Sequence, residues 1–188
     1  MRHAQSLANV EGIIVSKPEN GIPAYGLSER GKQQVADNAA LFAKQSNSPL
    51  GSTVCIYSSD FKRAHETAAI MHGLLNCSFN MELTPSLRER DFGDFELQAD
   101  SNYQTPWGQD AFDSSHTLNN VESADSVMAR ATLLVDSLEK KSNNETYLLV
   151  AHGDTLQILQ TAFLKLPASK QRDMPHLENA EIRELVLA

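Results

Sequence analysis

The chain has 188 residues, 41% hydrophobic and 21% charged, which is the size of one α/β domain and excludes disordered and fibrous folds. Its net charge of −8 is uneven: residues 1–90 carry 9 Lys/Arg against 8 Asp/Glu, residues 91–188 carry 7 against 16, and Asp91 to Ala129 holds no Lys or Arg. Such a surface repels phosphate backbones and anionic lipid, so neither nucleic acid nor membrane is expected as a partner, and an anionic substrate would need basic groups gathered in a pocket.

In chain order, Ser28 is a candidate N-cap for a helix running to about Lys44, with Val35, Ala39 and Phe42 on one face. Residues 53–57 are β-rich and read as a buried strand. Asp60 is a candidate cap for a helix to about Leu75, with Ala64, Thr67, Ala68 and Met71 along one stripe. Residues 79–83 alternate as a short strand would. Between residues 96 and 120 the chain is acidic and aperiodic, which suggests a loop or lid with at most one short helix. Glu122 to Lys141 then forms a helix facing inward through Val127, Ala131, Leu134 and Leu138. Residues 147–151 are a second buried strand, Thr155 to Leu166 a helix closed by Pro167, and Glu181 to Leu187 a final edge strand. Repeated strand–helix alternation implies an α/β fold, a mostly parallel sheet with helices on both faces, as one domain over 1–188 with 97–120 as its lid. No apolar run approaches the roughly 18 residues of a membrane span. The opening residues lack a signal-peptide pattern, and Cys55 and Cys77 fit a reduced, cytoplasmic protein.

In parallel sheets ligands sit beyond the carboxyl ends of strands. Here those ends carry His152 after the second strand, and Tyr57-Ser58-Ser59-Asp60 leading to Arg63. With Arg2-His3 at the start of the chain they would make an anion pocket, because arginine suits bidentate contact with phosphate oxygens and a neutral imidazole can attack phosphorus. His116 and His176 fall in loops, where no role is expected for them. Trp107 reads as a lid contact or a packing anchor, and the acidic run as a solvated face.

Arg2-His3-Ala4, Ser58-Ser59-Asp60 with Arg63-Ala64, Leu87 to Gly93, and His152-Gly153 stand in the order and spacing of the histidine phosphatase superfamily, also called phosphoglycerate mutase-like, which the chain resembles from end to end. The resemblance implies that His3 is the nucleophile, that Arg2, Arg63 and His152 clamp the phosphoryl group, and that Glu89 protonates the leaving oxygen and then activates water. It adds Asn9 and Ser58 as phosphate contacts, with Gln5 and Ser6 as lesser ones. It implies no metal or cofactor, and a small phosphorylated substrate.

Two positions depart from the pattern. Only Met1 precedes Arg2, where relatives carry an apolar strand; without it, neighbouring strand edges are expected to be unpaired beside a groove in the core. Glu96-Leu97 stands where many members have Glu-Gly. A phosphoglycerate mutase needs extra Lys/Arg in the lid to hold a second anionic group, and residues 91–129 have none, so a phosphatase is the favoured reading. The alternatives are mutase-type transfer, a phosphoprotein phosphatase, and a catalytically impaired binding module.

Overall fold

The computed structural model describes residues 1–45, 53–141 and 145–186. Three parallel strands, β1 (Val54–Ser58), β2 (Glu82–Leu83) and β3 (Thr146–Val150), lie in the order β2-β1-β3. β1 and β3 pair over five residues, from Val54 opposite Thr146 to Ser58 opposite Val150. Side chains alternate between the two faces of the sheet. Val54 and Ile56 of β1, with Leu148 and Val150 of β3, pack on one face against α3 (Glu29–Gln45) and α4 (Lys62–Leu74). Tyr57 and Leu149 pack on the other with Leu156 and Leu134, from α7 (Gly153–Phe163) and α6 (Ala124–Glu139). The sheet is thus covered on both faces.

The helix stripes read from the sequence are the buried ones. Val35, Ala39, Ala64, Thr67, Ala68, Met71, Val127, Ala131 and Leu138 are all buried. Ser28 Oγ accepts from the Gly31 amide at 3.0 Å at the start of α3. Gly31 is required there, since a Cβ would fall 2.1 Å from the Gln5 carbonyl oxygen.

Four expectations are corrected. Asp60 does not cap α4, whose N-cap is Phe61 without a side-chain bond; Asp60 instead pairs with Arg88 at 2.8 and 2.6 Å. The strand expected over 79–83 shrinks to Glu82 and Leu83, both exposed at the sheet edge. Residues 181–186 form no strand, Leu187 lying outside the described residues. Asp110 in the acidic segment is fully buried rather than solvated, because Arg90 is buried against it. Two short helices also went unforeseen, α1 (Leu7–Glu11) and α2 (Pro18–Gly21).

Where the resemblance calls for a strand, residues 1–3 are held from both sides. Met1 N donates to Leu149 O at 2.7 Å, Ala151 N to Met1 O at 3.0 Å, and His3 N to Ala151 O at 2.9 Å. On the opposite side Arg2 N donates to Glu181 O at 3.0 Å and Ala180 N to His3 O at 3.2 Å. These bonds fix the His3 backbone without a longer strand. Beside Met1 lies a cavity of about 810 Å³, lined by Leu148, Leu149, Leu156, Leu177 and Ile182 among others.

Between β2 and α6 the chain runs through four 3-10 turns and α5 (Gln104–Asp110). Leu97 enters this segment with φ +61°, the left-handed region that glycine favours. The Glu96 carboxylate before it accepts from Ser16 N and Oγ, Lys17 N and Asn20 Nδ2.

Candidate active site

Beyond the carboxyl ends of the strands lies a pocket of about 200 Å³. Arg2, His3, Arg63 and Glu89 form its inner wall, and Tyr103 and Trp107 close it from the acidic segment. His3 arrives from the pinned opening residues, Arg63 from the first turn of α4, and Glu89 from just after the Pro85–Leu87 turn. His152 follows β3 as the N-cap residue of α7. It is fully buried, with its ring centroid 5.1 Å from that of His3 and 5.3 Å from that of Phe61.

His3 Nδ1 lies 2.8 Å from Ala4 O, which only accepts, so Nδ1 carries the proton and Nε2 keeps its lone pair. Arg63 Nε donates to that Nε2 at 3.1 Å. Burial, then the Arg63 and Arg2 charges, hold the His3 pKa well below the usual histidine range, so the imidazole is neutral and nucleophilic at physiological pH. Ser59 Oγ accepts from Phe61 N at 3.2 Å and lies 2.9 Å from His152 Nε2. Among the described residues the Ser59 hydroxyl hydrogen has no other acceptor, so it goes to His152 Nε2, which leaves the His152 proton on Nδ1 as a donor. Burial and Arg63 also hold His152 neutral, so it acts as a neutral donor rather than as an imidazolium.

Among the described residues, three buried nitrogens here have no protein partner: Arg2 Nε, Arg63 Nη1 and His152 Nδ1. An unmet buried donor costs about 1–3 kcal/mol, more on a charged group. Three such donors beside one nucleophile are what an oxyanion-binding site needs before its ligand arrives. Glu89 completes the set. Burial, reinforced by Asp154, raises its pKa, while Arg63 and Arg2 act the other way. Its Oε1 accepts from Arg90 N at 3.1 Å and from Thr155 at 3.4 Å, which leaves Oε2 for the pocket. A carboxylic acid here can give up a proton and later take one back.

Two of the expected contacts sit differently. Asn9 lines the pocket, but its Oδ1 closes a capping box with Ser6 at the start of α1, so only Nδ2 is free. Ser58 faces the α3/α4 side with Val54 and Ile56, as strand alternation requires, and its Oγ donates to Ser59 O at 2.9 Å. The residue that supports the site is Ser59, one position on. Gln5 and Ser6 serve the backbone instead: Gln5 Oε1 accepts from Ser28, and Ser6 caps α1.

The roof was not legible in detail. Tyr103 and Trp107 stack with ring centroids 5.2 Å apart, and Arg172 lies over Trp107 at 3.8 Å. Trp107 Nε1 donates to both oxygens of Asp154, at 2.9 and 3.0 Å, which ties the acidic segment to α7. Beneath, Arg90 meets Asp110 at 2.6 and 2.8 Å, and Asp110 also engages His116 and Gln171. His116 thus has a structural role, contrary to expectation. Among the described residues no group of three His, Cys, Asp or Glu side chains is placed to hold a metal ion.

Comparison with known proteins places the chain in a family. Residues 1–188 match the histidine phosphatase superfamily (branch 1), and the chain belongs to that family. It is 28% identical over 165 residues to a metal-independent phosphoserine phosphatase of Arabidopsis thaliana, matching 85% of this chain and 65% of that protein, just under two thirds of the relative's length. It is 29% identical over 187 residues to a probable phosphoglycerate mutase GpmB of Erwinia tasmaniensis, covering 97% and 80%. Among solved structures, a mycobacterial glucosyl-3-phosphoglycerate phosphatase in complex with VO3 superposes with a TM-score of 0.76 at 26% identity, covering 95% of this chain and 87% of that one.

Proposed function

We propose that this member of the histidine phosphatase superfamily hydrolyses small phosphomonoesters, passing the phosphoryl group through Nε2 of His3. The observation that carries the reading is the set of three partnerless buried donors, Arg2 Nε, Arg63 Nη1 and His152 Nδ1, around a neutral His3.

The substrate phosphate enters and takes these donors, joined by Asn9 Nδ2 at the rim. Arg63 Nε turns from His3 to a phosphate oxygen, and the freed lone pair attacks phosphorus. The P–O bond to the alcohol breaks as the Glu89 carboxylic proton passes to the leaving oxygen. Water then attacks the phosphohistidine in line. Glu89, now a carboxylate, takes the water proton, the P–N bond breaks, and inorganic phosphate leaves His3 neutral again. Positioning and charge neutralisation supply most of the acceleration in such transfers.

Hydrolysis is favoured over mutase transfer by the roof. Asp100, Tyr103 and Trp107 put no cation in the pocket lining, the Arg172 stacked over Trp107 being paired with Asp154 at 3.0 Å, and a space of about 200 Å³ suits a phosphate on a small alcohol. The setting that fits is cytoplasmic, with 1–188 acting as one unit and 97–120 as its lid. Cys55 and Cys77 are both free, and among the described residues no helix is long and apolar enough to cross a membrane.

Turnover of a chromogenic aryl phosphate by the protein and by its His3→Ala variant tests the reading. Release of phosphate that the variant loses supports it. Equal turnover contradicts it, as does conversion of 3-phosphoglycerate to 2-phosphoglycerate at a rate matching hydrolysis.

A further inference from the structure

Arg2 does not reach the pocket unsupported. Its Nη1 is turned outward and held by two acceptors, Leu177 O at 2.7 Å and His176 Nε2 at 2.8 Å. That arrangement leaves Nε, the partnerless nitrogen, and Nη2, which together form one edge of the guanidinium able to grip an oxyanion side-on. His176 can accept only if its proton sits on the other nitrogen, and the surroundings place it there. Nδ1 faces Gln157 Oε1 at 3.3 Å, and the Gln157 amide is oriented by its Nε2 donating to Met174 O at 2.8 Å. The imidazole itself is exposed at the pocket mouth and lines the pocket.

We propose that His176 is a positioning residue for the phosphate clamp: while neutral it accepts from Arg2 and sets the Nε–Nη2 edge toward His3, and when protonated it releases that arginine. The inference rests on the phosphatase reading for what the clamp binds. A protonated ring has no acceptor to offer and sets a second cation against the guanidinium. The charged groups around the ring are Arg2 from the opening segment, Arg172 from the turn Ala168–Asp173, Asp154 on α7, and Glu178 and Arg183 from its own segment. Partial burial, then Arg2 and Arg172, lower the pKa of the ring, against the smaller opposing pull of Glu178 and Asp154. The ring is therefore neutral at neutral pH and charges only on acidification.

Calorimetric titration with inorganic phosphate, from about pH 8 down to about pH 5, separates the outcomes. His176→Ala is expected to weaken phosphate binding roughly three- to tenfold at neutral pH, the worth of one hydrogen bond. For an aryl phosphate, KM is expected to rise with little change in kcat. His176→Gln, whose amide oxygen accepts at every pH, is expected to restore the affinity. It should also lose part of the acid-side weakening seen in the parent. The ionisation of phosphate itself is common to all three proteins and cancels in the comparison. An alanine variant that binds like the parent at every pH overturns the proposal, as does a glutamine variant no better than alanine or one with the parent's acid slope. If the alanine variant fails to fold, the acid slope of the glutamine variant decides alone. A parent that hydrolyses and binds phosphate while the variants do not differ sinks only this inference, whereas a parent that binds no phosphate sinks the phosphatase reading with it.

Discussion

Arg90 and Arg63 are both buried arginines in one small protein, and they are treated in opposite ways. Arg90, beneath the acidic segment, has its fork filled: both Nη atoms meet Asp110, Nε donates to Glu122 O at 2.6 Å, and Asp154 lies 3.5 Å away. Arg63, in the pocket, has no carboxylate in ion-pair range among the described residues; it meets a neutral imidazole and the Val15 carbonyl, and its Nη1 meets nothing. A buried charge that is paired and hydrogen-bonded holds structure together, while one left short of partners is held for a ligand. On the proposed function, the difference assigns Arg90 to the fold and Arg63 to the chemistry, although either could pass for a core cation in the sequence.

Replacement at the two sites should therefore diverge. Arg63→Met is expected to reduce aryl phosphate turnover about a thousandfold, the upper range for losing one preorganised electrostatic contact, with no loss of thermal stability. Steady-state kinetics beside a thermal melt would show this, and turnover within tenfold of the parent would erase the contrast. Asp110→Ala should do the reverse. Leaving Arg90 unpaired is expected to cost about 3 kcal/mol or more of unfolding free energy, measured by denaturant titration. An Asp110→Ala protein as stable as the parent would make Arg90 no different from Arg63.

Glu89 sharpens the chemical half. Glu89→Gln should slow alkyl phosphates about a hundredfold and aryl phosphates less, since a phenolate leaves without a proton. Because the Glu89 pKa is raised, the acid form that protonates an alkoxide is present below that pKa and lost above it. Alkyl phosphate turnover should accordingly fall as pH rises through it, and a rate that climbs there would contradict the role. The smallest expected effect lies on the lid side. Leu97→Gly relieves a left-handed residue and should gain about 1 kcal/mol in stability. A loss instead would mean that the Leu97 side chain matters more than its backbone.

What the sequence makes legible follows the same division. Elements whose identity depends on periodicity were legible: the stripes of α3, α4 and α6, the strands β1 and β3, and the convergence of Arg2, His3, Arg63 and His152 at strand ends, while Glu89 was marked only by the family resemblance. What was missed depends on partners distant in the chain. Asp60 resembles a cap until Arg88 is placed beside it, and Asp110 looks solvated until Arg90 is. His176 lies 174 residues from Arg2, and no spacing rule links them. Ser58 against Ser59 was open to a local argument, since alternation from Val54 and Ile56 turns Ser58 toward the α3/α4 face. Leu97 was marked by its departure from Glu-Gly, and its positive φ supplies the physical reason that glycine suits that position.

The central claim is that the phosphoryl group rests on His3. Rapid quench of the protein with an aryl phosphate under alkaline conditions, followed by peptide mapping, tests it most directly. The account predicts an acid-labile phosphate on His3 that accumulates in Glu89→Gln and is absent in His3→Ala. Hydrolysis without any phosphoenzyme, or a phosphate found on another residue, would contradict it.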